Sequence, residues 1–299
     1  MTSLAVAHRR AASTIVSAAA FTCVAMACNP EPAAAPTSAA QAESGAESIG
    51  GSPSASSPKP AARTAAVSSE ADAATATASL LAACRSGDLT AATLKELLDA
   101  GADVNAIDRP GGGLASNPAL MVAAMNLSDR EQIAPVLEGM IAAGADVNAQ
   151  NGNGATAASA GITFNDHPEV VLQTLIDHGA DPNLVDRNGN TLLFTALFVN
   201  PCRRLVPIVL NGPIEVDVNH ENNRGMTPLA LSITVCVGTS DLLLERGATA
   251  DPDYRYRNGK TVLEIAISGD SLGNAGPKTL AYLKARAAGE RAPQGPADG

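Results

Sequence analysis

Hydrophobic and polar positions divide the 299-residue chain into four stretches. Behind Arg9 and Arg10, the positions from Ala11 to Cys28 carry no charge. From Asn29 to about Thr77 the chain is Ala, Ser, Pro, Gly and Glu with hardly any large apolar side chain. Between Ala78 and Ala288, short apolar runs alternate with polar turns at near-regular intervals, which predicts paired helices. Gly289 to Gly299, with Pro293 and Pro296, reads as a disordered tail. The first stretch reads as an export signal over 1–27. A spanning helix needs roughly 20 strongly apolar residues, whereas this segment is diluted by Ser13, Thr14, Ser17 and Thr22 and ends on the small residues Ala25-Met26-Ala27. The second stretch, 28–77, cannot bury enough surface to offset chain entropy and is predicted to be a disordered tether.

The third stretch is internally repetitive. GADVNA begins at Gly101 and again at Gly144, followed by GADPNL at Gly179, EVDVNH at Glu215 and GATADP at Gly247. The equivalent positions Asn105, Asn148, Asn183, Asn219 and Asp251 are 43, 35, 36 and 32 residues apart. A second phrase recurs in register: Gly154-Ala155-Thr156, Gly189-Asn190-Thr191-Leu192-Leu193, Gly225-Met226-Thr227-Pro228-Leu229 and Gly259-Lys260-Thr261-Val262-Leu263. Together they resemble the ankyrin repeat, whose period is about 33 residues. The resemblance implies an all-α fold over 78–288, an ankyrin-repeat solenoid of about six helix-turn-helix units joined by β-hairpin-like loops. Gly closes a helix in the left-handed conformation, Asp-x-Asn turns the chain, and Thr caps the next helix. A lone unit leaves its apolar faces wet, so neighbours must bury them.

Ser79 to Leu89 opens the array as an amino-terminal cap. The insertion Pro110-Gly111-Gly112-Gly113 accounts for the longest spacing, and a basic helix through Lys278, Lys284 and Arg286 closes the array. Two units depart from the pattern. Thr156 is followed by Ala157-Ala158 rather than Pro-Leu, which predicts a thinly packed third unit. Pro201 and Pro207 interrupt the helical run from Arg203 to Leu210, the second at the cost of a backbone hydrogen bond.

Composition fits small, closely stacked helices: 45% of residues are hydrophobic, yet there is no Trp and only 3 Tyr and 4 Phe. A net charge of -10 argues against nucleic acid as a partner, because that would need a basic face. No CxxC pair marks a zinc site, Asp251-Pro252-Asp253 lacks the ligand spacing of a calcium loop, and no Lys-Ser/Thr follows Gly111-Gly112-Gly113. His178 suits a helix C-terminus; His167 and His220 fall in a loop and a hairpin and are expected to be solvated. No converging nucleophile, base and acid is visible, so no catalytic residue, metal or cofactor is assigned. A hydrolase built on the solenoid is the rival reading, and a purely structural envelope protein is a third.

The segment Asn29-Pro30-Glu31-Pro32-Ala33-Ala34-Ala35-Pro36 resembles the tether behind a bacterial lipoprotein cysteine. That implies lipidation of Cys28 and a place in the periplasm, anchored to the outer membrane of a Gram-negative-type envelope; Ala25 departs from the branched residue usual three positions earlier, and simple cleavage before Cys28 is the alternative. In repeat register Cys202 and Cys236 lie in neighbouring inter-helix turns, in a compartment that permits disulfides. Adjacent layers are ordinarily farther apart than the roughly 4.4–6.8 Å between bridged Cα atoms, so a bridge and two free thiols both remain open. Cys84 is expected to be a small buried residue.

The ankyrin resemblance further implies a monomer that recognises another protein through hairpin tips and inner helices. Carried over position by position, the tips supply Arg187, Asn188 and Asn190; Asn223, Arg224 and Met226; and Tyr254, Tyr256, Arg257, Asn258 and Lys260. Tyr254 and Tyr256 alternate with Arg255 and Arg257, so both rings should share a side and read as contact residues rather than core. Phe164, Phe198, Val199 and Val235 extend the face as an apolar floor.

Overall fold

The computed structural model describes residues 60–109, 116–236, 238–268 and 275–289, with backbone alone over 60–69. The export segment, Cys28, the first part of the tether, the Pro110 to Gly113 insertion and residues 290–299 lie outside the described residues. The chain is mostly helical, with twelve helices and one short strand pair among the described residues.

Helix α1 spans Pro60–Ser86 and so takes in residues 60–77 of the expected tether. The stretch is poor in large apolar residues but rich in Ala, the residue that loses least on entering a helix. From Asp72 onward, α1 belongs to the same compact unit as the remainder of the chain. Leu80 and Cys84 are fully buried there. Gly87, at φ 76°, ends the helix, and a Cβ at this position would sit 2.1 Å from the Asn126 carbonyl oxygen; left-handed backbone and close approach both demand glycine.

The remaining helices come in consecutive pairs: α2 (Ala91–Asp99), then α3 (Ala119–Asn126) with α4 (Arg130–Ala142), α5 (Ala157–Phe164) with α6 (Pro168–Asp177), α7 (Leu192–Phe198) with α8 (Cys202–Leu210), α9 (Pro228–Val235) with α10 (Ser240–Glu245), and α11 (Val262–Ser268) with α12 (Pro277–Ala287). Helix α3 packs on α5, α5 on α7, α7 on α9 and α9 on α11. A parallel row runs α2 on α4, α4 on α6 and α6 on α8, with α10 on α12 beyond. Strands β1 (Ile107–Asp108) and β2 (Asn117–Pro118) pair antiparallel before α3.

The first helix of each pair from α3 to α9 is apolar on nearly every side. In α3, Ala119 to Ala124 are all buried, and in α9 Pro228 to Ile233 are all buried. A helix hydrophobic all round must be sandwiched, here between its own partner and the neighbouring pairs. Starts are capped by threonine: Thr156 accepts from Ser159 N–H within a capping box, Thr227 from Ala230 N–H and Thr261 from Glu264 N–H. Thr191 differs, since its buried hydroxyl has no hydrogen-bond partner among the described residues.

The pair α5/α6 is not thinly packed. Its small residues instead permit close approach: a Cβ on Gly161 would come within 2.5 Å of Val171 Cγ1 and 3.4 Å of Ala124. Pro207 does not break α8, which runs to Leu210 and receives Asn211 N–H on the Pro207 carbonyl at 3.0 Å. The closing helix α12 is held by Asp241 of α10, whose Oδ1 accepts from the Thr279 N–H at 2.8 Å.

Candidate functional site

Two hydrogen-bonded rows determine where the polar loop residues point. In the first, Asn105 donates to the Gly144 carbonyl and accepts from Asp146 N–H, at 2.9 and 3.1 Å. Asn148 does the same with Gly179 and Asp181, Asn183 with Glu215 and Asp217, and Asn219 with Gly247 and Thr249. Within each loop an aspartate accepts from the N–H two residues on, as Asp146 does from Asn148 at 2.9 Å. The repeated Asp-x-Asn thus uses its aspartate to make the turn and its asparagine to reach the next turn.

The second row runs along the loop tips that precede α5, α7 and α9. Asp186 Oδ1 accepts from the N–H groups of Asn188 and Asn190, both at 2.8 Å. Asn222 Oδ1 accepts from Arg224 and Met226 at 3.0 and 3.2 Å. Tip joins tip: Arg187 N–H donates to the Asn153 carbonyl, Asn223 N–H to the Asn188 carbonyl, and Asn223 Nδ2 to the Arg187 carbonyl, each at 3.0 Å. His220 joins this row with Nε2 at 2.8 Å from the Gly189 carbonyl, so it is an internal strut rather than a solvated side chain. At Gly189, φ is 73° and an added Cβ would come 2.5 Å from Asn223 Oδ1. Tip spacing therefore depends on that glycine.

This scaffold sorts the tip residues. The side chains of Asn190 and Asn223 are engaged in tip-to-tip bonds, whereas Arg187, Asn188, Arg224, Arg257, Asn258 and Lys260 are exposed and Met226 is half-buried. The rings of Tyr254 and Tyr256 share one side, edge to face with centroids 5.6 Å apart. Both rings pack against the core, and the Tyr256 hydroxyl donates to the Ala230 carbonyl at 2.5 Å. Burial, and then Tyr254, push the Tyr256 phenol well above the usual value. Burial also raises the Tyr254 phenol while the Arg224 charge pulls it down, which puts that guanidinium within electrostatic reach of the half-buried ring.

At the far ends of the inner helices, Phe164, Phe198 and Val235 are 39%, 40% and 37% exposed, values high for such side chains in a well-packed stack, and Val199 is half-buried. Beyond these ends a disulfide joins Cys202, the first residue of α8, to Cys236, the C-cap of α9; their Cα atoms are 6.2 Å apart. That separation falls inside the range a bridge needs. Cys84 is a buried thiol.

The starts of α4, α6 and α8, with the turns just before α6 and α8, line an open polar cleft of about 680 Å³ through Arg130, Asp166, His167, Glu169, Asn200 and Arg204 among others. His220 is not part of its lining, so His167 and His220 do not converge. His178 Nδ1 lies 2.8 Å from the Thr174 carbonyl at the end of α6. Among the described residues, no group of three or more His, Cys, Asp or Glu side chains is placed to hold a metal, and no helix is long and apolar enough to cross a membrane.

Sequence reasoning missed the asparagine and tip-to-tip rows. Their signal was the recurrence of Asn at one register position, which local turn chemistry alone did not require. No family model matches the chain.

Proposed function

We propose that the chain is an exported, non-enzymatic ankyrin-repeat adaptor, lipid-anchored through Cys28 in a Gram-negative-type envelope, that binds another protein through its tips and inner-helix ends. The observation that carries this reading is the row of exposed Phe164, Phe198 and Val235 at the C-terminal ends of successive helices, together with the exposed cations Arg187, Arg224 and Arg257 on the loop tips before the helix starts. Exposed apolar side chains that recur on one row mark interaction sites, and aromatic residues and arginine are enriched at binding hot spots. In a protein with net charge -10, cations gathered on one row favour a partner with an acidic surface. The two hydrogen-bonded rows support the ankyrin reading, because the asparagine row recurs at the repeat spacing and the tip row ties the tips before α5, α7 and α9 to one another. The mechanism is occlusion or scaffolding on a rigid, preorganised face.

Affinity capture from envelope extracts tests this, with the partner identified by mass spectrometry. The unsubstituted chain is expected to retain a specific acidic protein; R224E/R257E and F164S/F198S are each expected to lose it. Equal capture by both double variants would overturn the proposal.

A further inference from the structure

The polar cleft lies apart from the tip row, and what it binds does not depend on the adaptor reading. Its volume of about 680 Å³ is that of a small-molecule site, which commonly spans about 300–1,000 Å³. Three successive helix pairs contribute to it: Arg130 opens α4, Asp166, His167 and Glu169 sit at the start of α6, and Asn200 and Arg204 flank the start of α8.

Both walls are pinned from behind. Asn165 is buried and its Nδ2 donates to the Ala124 and Leu127 carbonyls, both at 2.9 Å, while its Oδ1 accepts from the His167 N–H at 2.8 Å. The segment carrying Asp166 and His167 is thereby fastened to the preceding helix pair. On the other side, Cys202, next to the lining residue Pro201, is tied to Cys236. A cleft with fastened walls loses little freedom on binding.

The charges inside are of both signs. Arg204 Nη1 and Glu169 Oε1 lie 3.3 Å apart and offset each other. That leaves the Arg130 guanidinium and the Asp166 carboxylate, both exposed and neither hydrogen-bonded nor ion-paired among the described residues. A bare anion would meet Asp166 and Glu169; a bare cation would meet Arg130 and Arg204. A ligand carrying one charge of each sign avoids both penalties.

We propose that this cleft binds a small zwitterion of the amino-acid or short-peptide class, with its carboxylate on Arg130 and its ammonium on Asp166. The planar guanidinium suits a carboxylate, which it can meet with two parallel N–H donors. The volume admits two or three residues.

The test is a two-dimensional amide NMR titration of the full chain with alanyl-alanine, its N-acetyl form, its C-terminal amide and inorganic phosphate. Alanyl-alanine is expected to give saturable shifts at Asp166, His167 and Arg204 with a Kd between about 10 μM and 1 mM, and blocking either end should weaken binding by about tenfold or more. R130Q should abolish the penalty of amidation alone, and D166N the penalty of acetylation alone. Lack of saturation at about 10 mM dipeptide, a weaker regime than any dedicated site, would overturn the proposal. Equal binding of blocked and unblocked forms, or phosphate binding that the dipeptide does not displace, would overturn it as well. The blocked-peptide comparison decides on the unsubstituted protein, so it stands even if a variant fails to fold.

Discussion

Asn148 joins two successive turns with the two ends of one side chain: Oδ1 accepts from the Asp181 N–H at 2.8 Å, and Nδ2 donates to the Gly179 carbonyl at 3.2 Å. Three further asparagines repeat the arrangement, and the consequence is that each unit orients the next through backbone groups rather than through side-chain packing alone.

Asn148→Ala is therefore expected to destabilise the protein by about 1–3 kcal/mol, because two half-buried backbone groups lose their partners. Asn188→Ala, at an exposed tip, should stay within about 0.5 kcal/mol. Urea unfolding followed by circular dichroism distinguishes them, and equal midpoints would show that the asparagine row carries no stability.

A paired substitution tests the threonine caps. Thr227 accepts from the Ala230 N–H and donates to the Thr249 carbonyl at 2.9 Å, so Thr227→Val should cost about 1–2 kcal/mol. Thr191 is buried with a hydroxyl that has no partner among the described residues, and Thr191→Val should be neutral or stabilising by up to about 1 kcal/mol, since the unpaired group disfavours burial. Thermal melts of the two variants are expected to move apart.

Alkaline pH should weaken the fold through Cys84. Burial first, then the Asp108 carboxylate, push its thiol from 9.0 up to about 12, so the folded chain keeps the proton that the unfolded chain sheds above its lower value. The sign follows directly: this contribution is fully present below the unfolded pKa and is lost as pH rises from there toward the folded one, at about 1.4 kcal/mol per pH unit. Cys84→Ala should remove that slope. Urea midpoints at pH 8 and pH 10 for both proteins provide the measurement, and identical pH dependence would refute the assignment.

The Cys202–Cys236 bridge closes a sequence separation of 34 residues. A loop of that length corresponds to about 3–4 kcal/mol in the chain-entropy description. Cys236→Ser should lower stability by up to that amount, and peptide mapping of the non-reduced protein should recover the two cysteines in one linked fragment. Recovery of both as alkylated thiols under non-reducing conditions would contradict the pairing.

Much of the helical organisation was legible from local rules. Thr156, Thr227 and Thr261 start helices because a hydroxyl can take an orphan N–H, and Gly189 and Gly225 turn the chain because they lack a Cβ; neither requires knowledge of what lies across the space. The apolar runs of α3 and α9 likewise announce burial on every side. Helix α1 extends back to Pro60 through a stretch poor in large side chains, in keeping with alanine's intrinsic preference for helix.

The candidate site was legible only in part. Sequence alone determined that Arg187, Arg224 and Arg257 fall on the loop tips, Arg187 and Arg257 two residues before the tip glycine and Arg224 one before it, and that Phe164, Phe198 and Val235 fall at helix ends, since periodicity places tips and helix ends alike. Tertiary structure decided what each does there. Tyr256 turned inward to the Ala230 carbonyl because a buried phenol needs an acceptor, and Asn223 and His220 were taken up by the neighbouring tip. Arg130, Asp166 and Arg204 came to line one cleft although they lie in three different helix pairs. Such convergence depends on distances between layers, and these are set by how closely residues such as Gly161 allow helices to approach, a property of packed surfaces that no local stretch of chain encodes.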